Sequence, residues 1–390
     1  MEHKKIKLLR VSTIPHSLHL LLRGQIRYMK DNGMEVYMAS TTGPEVNTLM
    51  KNEGAPHYHV PLSRSLNPLQ DLKALYHMVK LIRKIKPDIV HSHSPKAGTI
   101  GMLAAYICRV PLKMHTVAGL PLMESQGMKR KLLVTVEKLT YRFADWILPN
   151  SMELEKYIIE NKLAHNSNKL KVLGKGSSNG IDLSYYSKTP AVMQSAQAFK
   201  EKYNIADEEV VLCFVGRLAF YKGINELVAA FEILTQKYNK LRLVLVGPAE
   251  DINPLNKETI ALMNDLPGII STGHQDDIRP YLAAADIFVF PSYREGFPQS
   301  LMQACAMGLP CITTDINGCN EMVFNGVNGS LIPAKHVAAI VDACEVLIAD
   351  KTKRLQLGKN SRAYIEDNFE QQQFWHKVNS FYIKHLNTQS

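Results

Sequence analysis

The chain has 390 residues, of which 46% are hydrophobic and 21% charged, and a net charge of +10. That length is too great for one ordinary core and suits two domains, and the composition is that of a globular chain, not a disordered or fibrous one. No apolar run is long enough to span a bilayer, and the six cysteines form no C-x-x-C pair, which argues against zinc and against a disulfide framework.

Taken in chain order, Met1 to Val11 is basic and then mildly apolar. It lacks a signal-peptide core and a small-residue cleavage site, so it reads as the approach to a first strand in a cytoplasmic protein. Leu8 to Thr13 is strand-like and Ser17 to Asn32 helical. Val36 to Ser40 follows as a strand, Val46 to Glu53 as a helix, and Leu69 to Ile85 repeats apolar residues at helical spacing. Asp88 to His93, Pro111 to Thr116 and Trp146 to Pro149 are further strands. The rhythm then repeats with strands at Val210 to Val215, Leu241 to Val246, Gly268 to Ser271, Ile287 to Phe290 and Cys311 to Thr313. Strands alternating with helices predict an α/β fold with parallel sheets covered on both faces. Two such blocks predict two Rossmann-like domains, residues 1–187 and 188–370, with a terminal helix over 371–390.

The charge is uneven. Residues 1–187 hold 27 Lys and Arg against 14 Asp and Glu, a net +13, and the remainder 19 against 22, a net −3. The first half therefore suits an anionic partner: nucleic acid, an anionic membrane surface or a diphosphate-bearing acceptor. A merely solvated basic surface fits the same count. Gly127 to Phe143 reads as an amphipathic helix in which Lys129, Arg130, Lys131, Lys138 and Arg142 interleave with apolar residues. Such a helix lies on anionic lipid or packs on a core with its basic face in water.

The most informative segment is Pro291-Ser292-Tyr293-Arg294-Glu295-Gly296-Phe297-Pro298-Gln299-Ser300, after an apolar strand and before a helix. Ligands bind at the carboxyl ends of strands in an open α/β sheet, and a helix N-terminus suits phosphate. A carboxylate repels phosphate, so Glu295 is better matched to hydroxyls, and the pair of features points to a nucleotide sugar. A second strand-to-helix loop, Gly216-Arg217-Leu218-Ala219-Phe220-Tyr221-Lys222-Gly223, places two cations where a leaving diphosphate would develop charge. There is no Asp-x-Asp for a metal–diphosphate clamp, so no metal or other cofactor is expected. His91 and His93 fall on one side of their strand, too few for a metal site. Gly176-Ser177-Ser178-Asn179-Gly180 has the spacing of a serine-hydrolase elbow, but Asn179-Gly180 is a turn signal and no helix pattern follows. No P-loop and no G-x-G-x-x-G occurs.

The Glu295 segment resembles the signature of retaining glycosyltransferases of the GT-B fold in family 4, a pattern of Glu, seven residues, Glu. Gln303 stands at the second position. The resemblance covers essentially the whole chain, with further markers at Gly216–Gly223, Asp315–Glu321 and Ser178–Asp182. It implies two Rossmann-like domains with parallel sheets facing across an interdomain cleft, and a terminal helix crossing back to the first. It implies Arg217 and Lys222 on the donor diphosphate, Glu295 on the donor sugar and Gln303 on the ribose. Gly216, Gly296, Phe297, Gln299 and Ser300 would complete the donor site. His115 resembles the position of a His that faces the reacting sugar, and with Lys222 and Glu295 makes the expected catalytic set. Relatives carry a Gly-Gly loop after the first strand; here Thr13-Ile14-Pro15-His16-Ser17 stands instead. His16, His93 and Lys96 are the expected acceptor contacts.

The implied activity is transfer of a hexose or N-acetylhexosamine from a nucleoside diphosphate, UDP first among them, to a polyprenyl-diphosphate-linked saccharide in capsule or O-antigen synthesis. The configuration would be retained, and the enzyme would sit peripherally on the inner face of the membrane without nucleic acid. A GT-B sugar-nucleotide epimerase is the alternative enzyme, and a nucleic-acid-binding protein the alternative of another class.

Overall fold

A computed structural model of the chain describes residues 5–63, 67–123 and 125–388; Met1 to Lys4, the basic start, lie outside them. The chain divides into two compact units, residues 1–180 with 371–390, and residues 181–370.

The first unit is built on six parallel strands: β1 Lys7–Val11, β2 Glu35–Ser40, β3 His57–His59, β4 Ile89–His93, β5 Leu112–Val117 and β6 Trp146–Pro149. Their order is β3-β2-β1-β4-β5-β6. Helices cover both faces, which is why β4 is buried at all five positions although it ends in His-Ser-His. The three-residue β3 pairs with Met38 to Ser40 and carries only His-Tyr-His, too short and too polar to signal a strand. The single helix expected over Ser17 to Asn32 is two, Pro15–Leu21 and Gln25–Asp31. Gly24 divides them at φ 80°, and a Cβ there would sit 2.6 Å from the Trp375 ring, so the break is set by a side chain distant in sequence.

The Gln371–Asn387 helix belongs to this unit. Phe374, Val378 and Tyr382, four residues apart, are buried among Leu8, Ile26, Met114 and Leu148. Burial of such side chains stabilises by about 1.5–3 kcal/mol each.

The second unit repeats the plan with β7 Val210–Val215, β8 Leu241–Val246, β9 Ile269–Gly273, β10 Ile287–Phe290, β11 Cys311–Thr314 and β12 Gly329–Ile332. The order is β12-β11-β10-β7-β8-β9. Phe214 of β7 stacks on Phe290 of β10 at 5.7 Å. β12 went unread in the sequence because its Gly-Ser-Leu-Ile carries little apolar signal. The boundary falls at Gly180 instead of 187. The N–H of Ile181 bonds the Phe369 carbonyl at 2.8 Å, and the Arg362 guanidinium holds the carbonyls of Leu183 and Tyr186. These contacts tie residues 181–187 into the second unit.

In each sheet the chain reverses direction of travel once, between β1 and β4 and between β7 and β10. Loops leaving neighbouring carboxyl ends diverge there and open a crevice, the place where ligands bind in such sheets. Among the described residues no helix is long and apolar enough to cross a membrane.

Candidate active site

The switch point of the second unit carries the two loops singled out by sequence. β7 leads into Gly216–Gly223 and β10 into Pro291–Pro298. Gly223, at φ 72°, lets them touch: a Cβ there would lie 2.1 Å from the Pro291 carbonyl oxygen. The N–H of Tyr293 then bonds the Tyr221 carbonyl at 2.9 Å. This approach brings Lys222 Nζ to 2.5 Å from Glu295 Oε1. Both side chains are largely covered, at 14% and 13% exposure, while still reaching the surface. Lys222 also lies 5.4 Å from the centre of the Phe290 ring.

Arg217 is 56% exposed and donates to Glu250 Oε1 at 2.8 Å. The same carboxylate accepts from the Tyr221 hydroxyl at 3.0 Å. Burial and the bond to Glu250 push the Tyr221 phenol up to about 12, so it stays a neutral donor. Arg217 and Arg294 both face the Tyr221 ring, at 5.6 and 4.4 Å. Gly216 ends β7 with its N–H on the Val246 carbonyl.

The Glu295 turn is held from behind. Asn317 Nδ2 donates to the carbonyls of Glu295 and Gly296, at 3.0 and 2.9 Å. Phe297 turns inward against Phe369, 5.3 Å between ring centres, so its side chain supports the turn and presents no ligand face. Gln299 and Ser300 open the Gln299–Ala306 helix, whose N-cap residue, Pro298, makes no side-chain bond to it. Its first-turn N–H groups are therefore suited to an anion. Gln303, one turn on, donates from Nε2 to the Tyr186 hydroxyl at 2.7 Å, which leaves its amide oxygen as an acceptor.

The first unit treats its expected residues differently. His115 lies on the face of the sheet opposite His93, because its register partner is Ser92. Its Nδ1 is 2.9 Å from Ser92 Oγ, and its ring is so close to the preceding Pro95–Ile107 helix that a Cβ on Gly98 would meet it at 2.4 Å. The side chain is 2% exposed, and burial lowers its pKa to about 4. That geometry gives it packing partners and no open face toward a sugar. Lys96 donates to both oxygens of Asp71, at 2.9 and 2.7 Å, so its charge is already matched. His16 is exposed and sits 3.3 Å from Glu45. Of the three expected acceptor contacts, His93 lines a pocket. Ser178 is followed by turns and no helix, in keeping with the rejected hydrolase elbow. Asn179 Oδ1 instead accepts from Gln25 and from the Trp375 indole, a knot that fastens the terminal helix.

Residues 195–364 match the family described as glycosyl transferases group 1, and residues 21–172 the glycosyl transferase 4-like domain. The capsular polysaccharide biosynthesis glycosyltransferase CapM of Staphylococcus aureus is 33% identical over 380 residues, covering 97% of each chain. This chain belongs to the group 1 glycosyltransferases. The UDP-Gal:alpha-D-GlcNAc-diphosphoundecaprenol alpha-1,3-galactosyltransferase of Escherichia coli is 29% identical over 98% of this glycosyltransferase and 97% of that one. The solved structure of Anabaena HepE with UDP and glucose superposes with a TM-score of 0.80 at 19% identity, over 97% of this chain and 100% of that one. A glycosyltransferase from Rickettsia africae gives 0.83 at 20%, over 98% and 99%. The fold of this glycosyltransferase is GT-B.

Several residues of the glycosyltransferase's site escaped sequence reasoning. Glu250 and Tyr186 pair with the expected donor residues Arg217 and Gln303, yet neither lies in a motif that signals it, and Tyr221 lies in the Gly216–Gly223 loop without having been singled out. Asn317 lies in the Asp315–Glu321 marker, but its work on the Glu295 turn is visible only in three dimensions. The Gly127–Phe143 helix has a stripe of exposed Met128, Leu132 and Leu139, at 78%, 47% and 42%. Lys129, Lys131, Lys138 and Arg142 are exposed on the same helix. Arg130 is not among these surface cations: its guanidinium bonds the Leu122 carbonyl, the Tyr157 hydroxyl and Asn161.

Proposed function

We propose that this glycosyltransferase moves a hexose or N-acetylhexosamine from a nucleoside-diphosphate sugar, with UDP as the nucleotide, onto a polyprenyl-diphosphate-linked saccharide for a surface polysaccharide. The observation that carries the reading is the Lys222–Glu295 pair at the switch point, with Arg217 beside it and a helix N-terminus behind it. Lys222 and the exposed Arg217 from the loop after β7, with Glu295 from the loop after β10 and Glu250 bound to Arg217, suit a ligand that is part polyol and part diphosphate. Glu295 accepts from sugar hydroxyls; Lys222 and Arg217 meet the diphosphate; the amide oxygen of Gln303 accepts from the ribose.

As the bond from C1 of the sugar to the diphosphate oxygen breaks, its electron pair leaves with the nucleotide. The cations stabilise that charge more strongly in the transition state than in the ground state, which is what lowers the barrier. The acceptor hydroxyl attacks C1 from the face the nucleotide leaves, and the departing oxygen takes its proton. Configuration is then retained. Lys222 and Arg217 take the place of a divalent ion in this scheme. The acceptor assignment is supported by relatives whose names specify lipid-linked acceptors, the E. coli galactosyltransferase and the N,N'-diacetylbacillosaminyl-diphospho-undecaprenol alpha-1,3-N-acetylgalactosaminyltransferase of Campylobacter jejuni, 29% identical over 343 residues. Peripheral membrane contact is supported by the stripe of Met128, Leu132 and Leu139 amid exposed lysines, since basic amphipathic helices lie in anionic interfaces.

The test is a panel of nucleotide sugars scored for nucleotide release, with and without a polyprenyl-diphosphate saccharide, in chelator and in added magnesium. The expected result is acceptor-dependent release with one UDP-sugar, unchanged by chelator, and a product linkage of the donor's configuration. Release restored only by the metal overturns the metal-free scheme. Interconversion of sugar nucleotides without transfer overturns the acceptor assignment.

A further inference from the structure

The pocket lined by His93 lies wholly within the first unit and is partly open to solvent. His91, Thr116 and Ser178 share its wall with Phe374 and Val378 of the terminal helix. Leu148 and Leu173 complete the apolar part of the wall, and Arg10 of β1, in register with His91, is fully buried nearby. Among the described residues no carboxylate pairs with this guanidinium. Nη1 donates to the Tyr382 hydroxyl at 2.7 Å, Nη2 to Gln25 Oε1 at 2.6 Å, and Nε has no partner. Glu53 acts on it only at a distance, since its carboxylate is occupied by the N–H groups of Gly24 and Arg27. Arginine keeps its proton in proteins, so a cation without a bonded counter-ion stands here at a large desolvation cost.

The hydrogen bonds from that cation run in one direction. Tyr382 accepts from Arg10, so its own proton goes to His91 Nδ1, 2.5 Å away. His91 then donates from Nε2 to Thr116 Oγ1 at 2.7 Å. The reverse sense would leave the Tyr382 proton buried without an acceptor. Having accepted, Thr116 keeps its hydroxyl proton for the pocket. His93 stands beside it, stacked on His91 at 4.3 Å, with Nε2 buried and unpartnered. Burial and the neighbouring Arg10 hold both imidazoles neutral, so each carries one N–H. Gln25 is spent, both donors of its amide being taken by Ser178 O and Asn179 Oδ1. The half-buried Ser178 hydroxyl completes the set. A relay of donors that starts at a cation and ends in the Thr116 hydroxyl is polarised toward an electron-rich occupant, with the His93 imidazole beside it.

We infer that this pocket is a subsite for an oxoanion of the phosphate class. Donors from β4, β5 and the 173–178 loop reach separate oxygens of one tetrahedral group, and Arg10 supplies the charge through Tyr382 and His91. Arg10 and Tyr382 are positioning residues; Thr116, His93 and Ser178 touch the ligand. The inference goes beyond the donor chemistry of the second unit and stands whether or not that chemistry is right. The phosphate is carried by the lipid-linked acceptor or is free in solution, and the experiment separates these sources.

The test is NMR of the full chain labelled with ¹⁵N-histidine, titrated with inorganic phosphate. The His93 signals are assigned by their loss in His93→Gln. Wild type should show a saturable shift at His91 and His93. Thr116→Val should weaken binding by at least about tenfold, the loss of one charge-assisted bond, and Thr116→Ser should restore it. Tyr382→Phe, outside the pocket wall, should weaken it too, because it cuts the relay. Competition by a short polyprenyl-diphosphate saccharide assigns the phosphate to the acceptor; phosphate binding without such competition assigns it to a free anion, and either outcome keeps the subsite. No saturable shift in wild type, or equal affinity for Thr116→Val and Thr116→Ser, overturns it. The imidazole signals report this pocket directly, so loss of transferase activity in a variant does not enter the result.

Discussion

Lys222 and Glu295 hold each other across the switch point of the second sheet, Nζ to Oε1 at 2.5 Å, from loops 73 residues apart. Each is thus pre-positioned by the other, and in the proposed scheme a donor that takes Lys222 onto its diphosphate frees Glu295 for hydroxyls. Lys222→Ala should leave the fold intact, as the pair is near the surface, and lower turnover at saturating donor by about a hundredfold or more. Folding is checked by circular dichroism and turnover by nucleotide release. A folded variant with near-native turnover removes Lys222 from the mechanism.

The Gln303 amide nitrogen is fixed by Tyr186, and its amide oxygen is the acceptor proposed for a ribose. Gln303→Leu should weaken donor binding by about 1–3 kcal/mol, the cost of an unpaired buried hydroxyl. Gln303→Glu should bind within a few-fold of wild type, since it keeps an acceptor and adds a charge near Arg217 and Lys222. Calorimetry with the donor across Gln, Glu and Leu decides the point, and equal affinity for Leu and Gln takes the ribose away from this position.

The cations of the Gly127–Phe143 helix divide into two kinds. Reversal of exposed Lys129, Lys131 and Lys138 to Glu should reduce cosedimentation with anionic liposomes, at about 1 kcal/mol per cation near the surface. Arg130→Met should instead lower the melting temperature, because its guanidinium joins Leu122, Tyr157 and Asn161, and should leave liposome binding close to wild type. Undiminished binding by the triple variant would mean that the lysines are simply solvated.

Glu137 is buried on that helix, and burial raises its pKa from 4.5 to about 7. A carboxyl raised in the folded state binds more protons than the unfolded chain between those values, so stability falls as pH rises through that window and levels off above about 7. Glu137→Gln removes the charged form. It should be more stable than wild type at pH 8, by an amount on the order of 3 kcal/mol at most, and nearly equal to it at pH 4. Urea denaturation at the two pH values measures this; a difference of the same size at both would place the cause in packing.

The sequence by itself determined the α/β class, ten of the strands and the two loops that meet at the second sheet's switch point. Those features are local: an apolar strand followed directly by Lys222 or Glu295 announces itself within a dozen residues, because burial sets the strand and chain polarity sets which end the loop leaves. The same locality hid β3 and β12, too short to show a pattern, and joined two helices that Gly24 and the distant Trp375 ring separate. It also left charges looking free. Lys96 carried no sign of Asp71, nor Arg130 of Asn161, and the burial of His115 against Gly98 follows from which face of β5 it occupies. Only the tertiary structure decided these pairings, and only it set Arg10, Tyr382 and His91 in one line. Strand order and helix docking bring together residues as far apart as 372 positions, and no periodicity along the chain encodes a contact of that range.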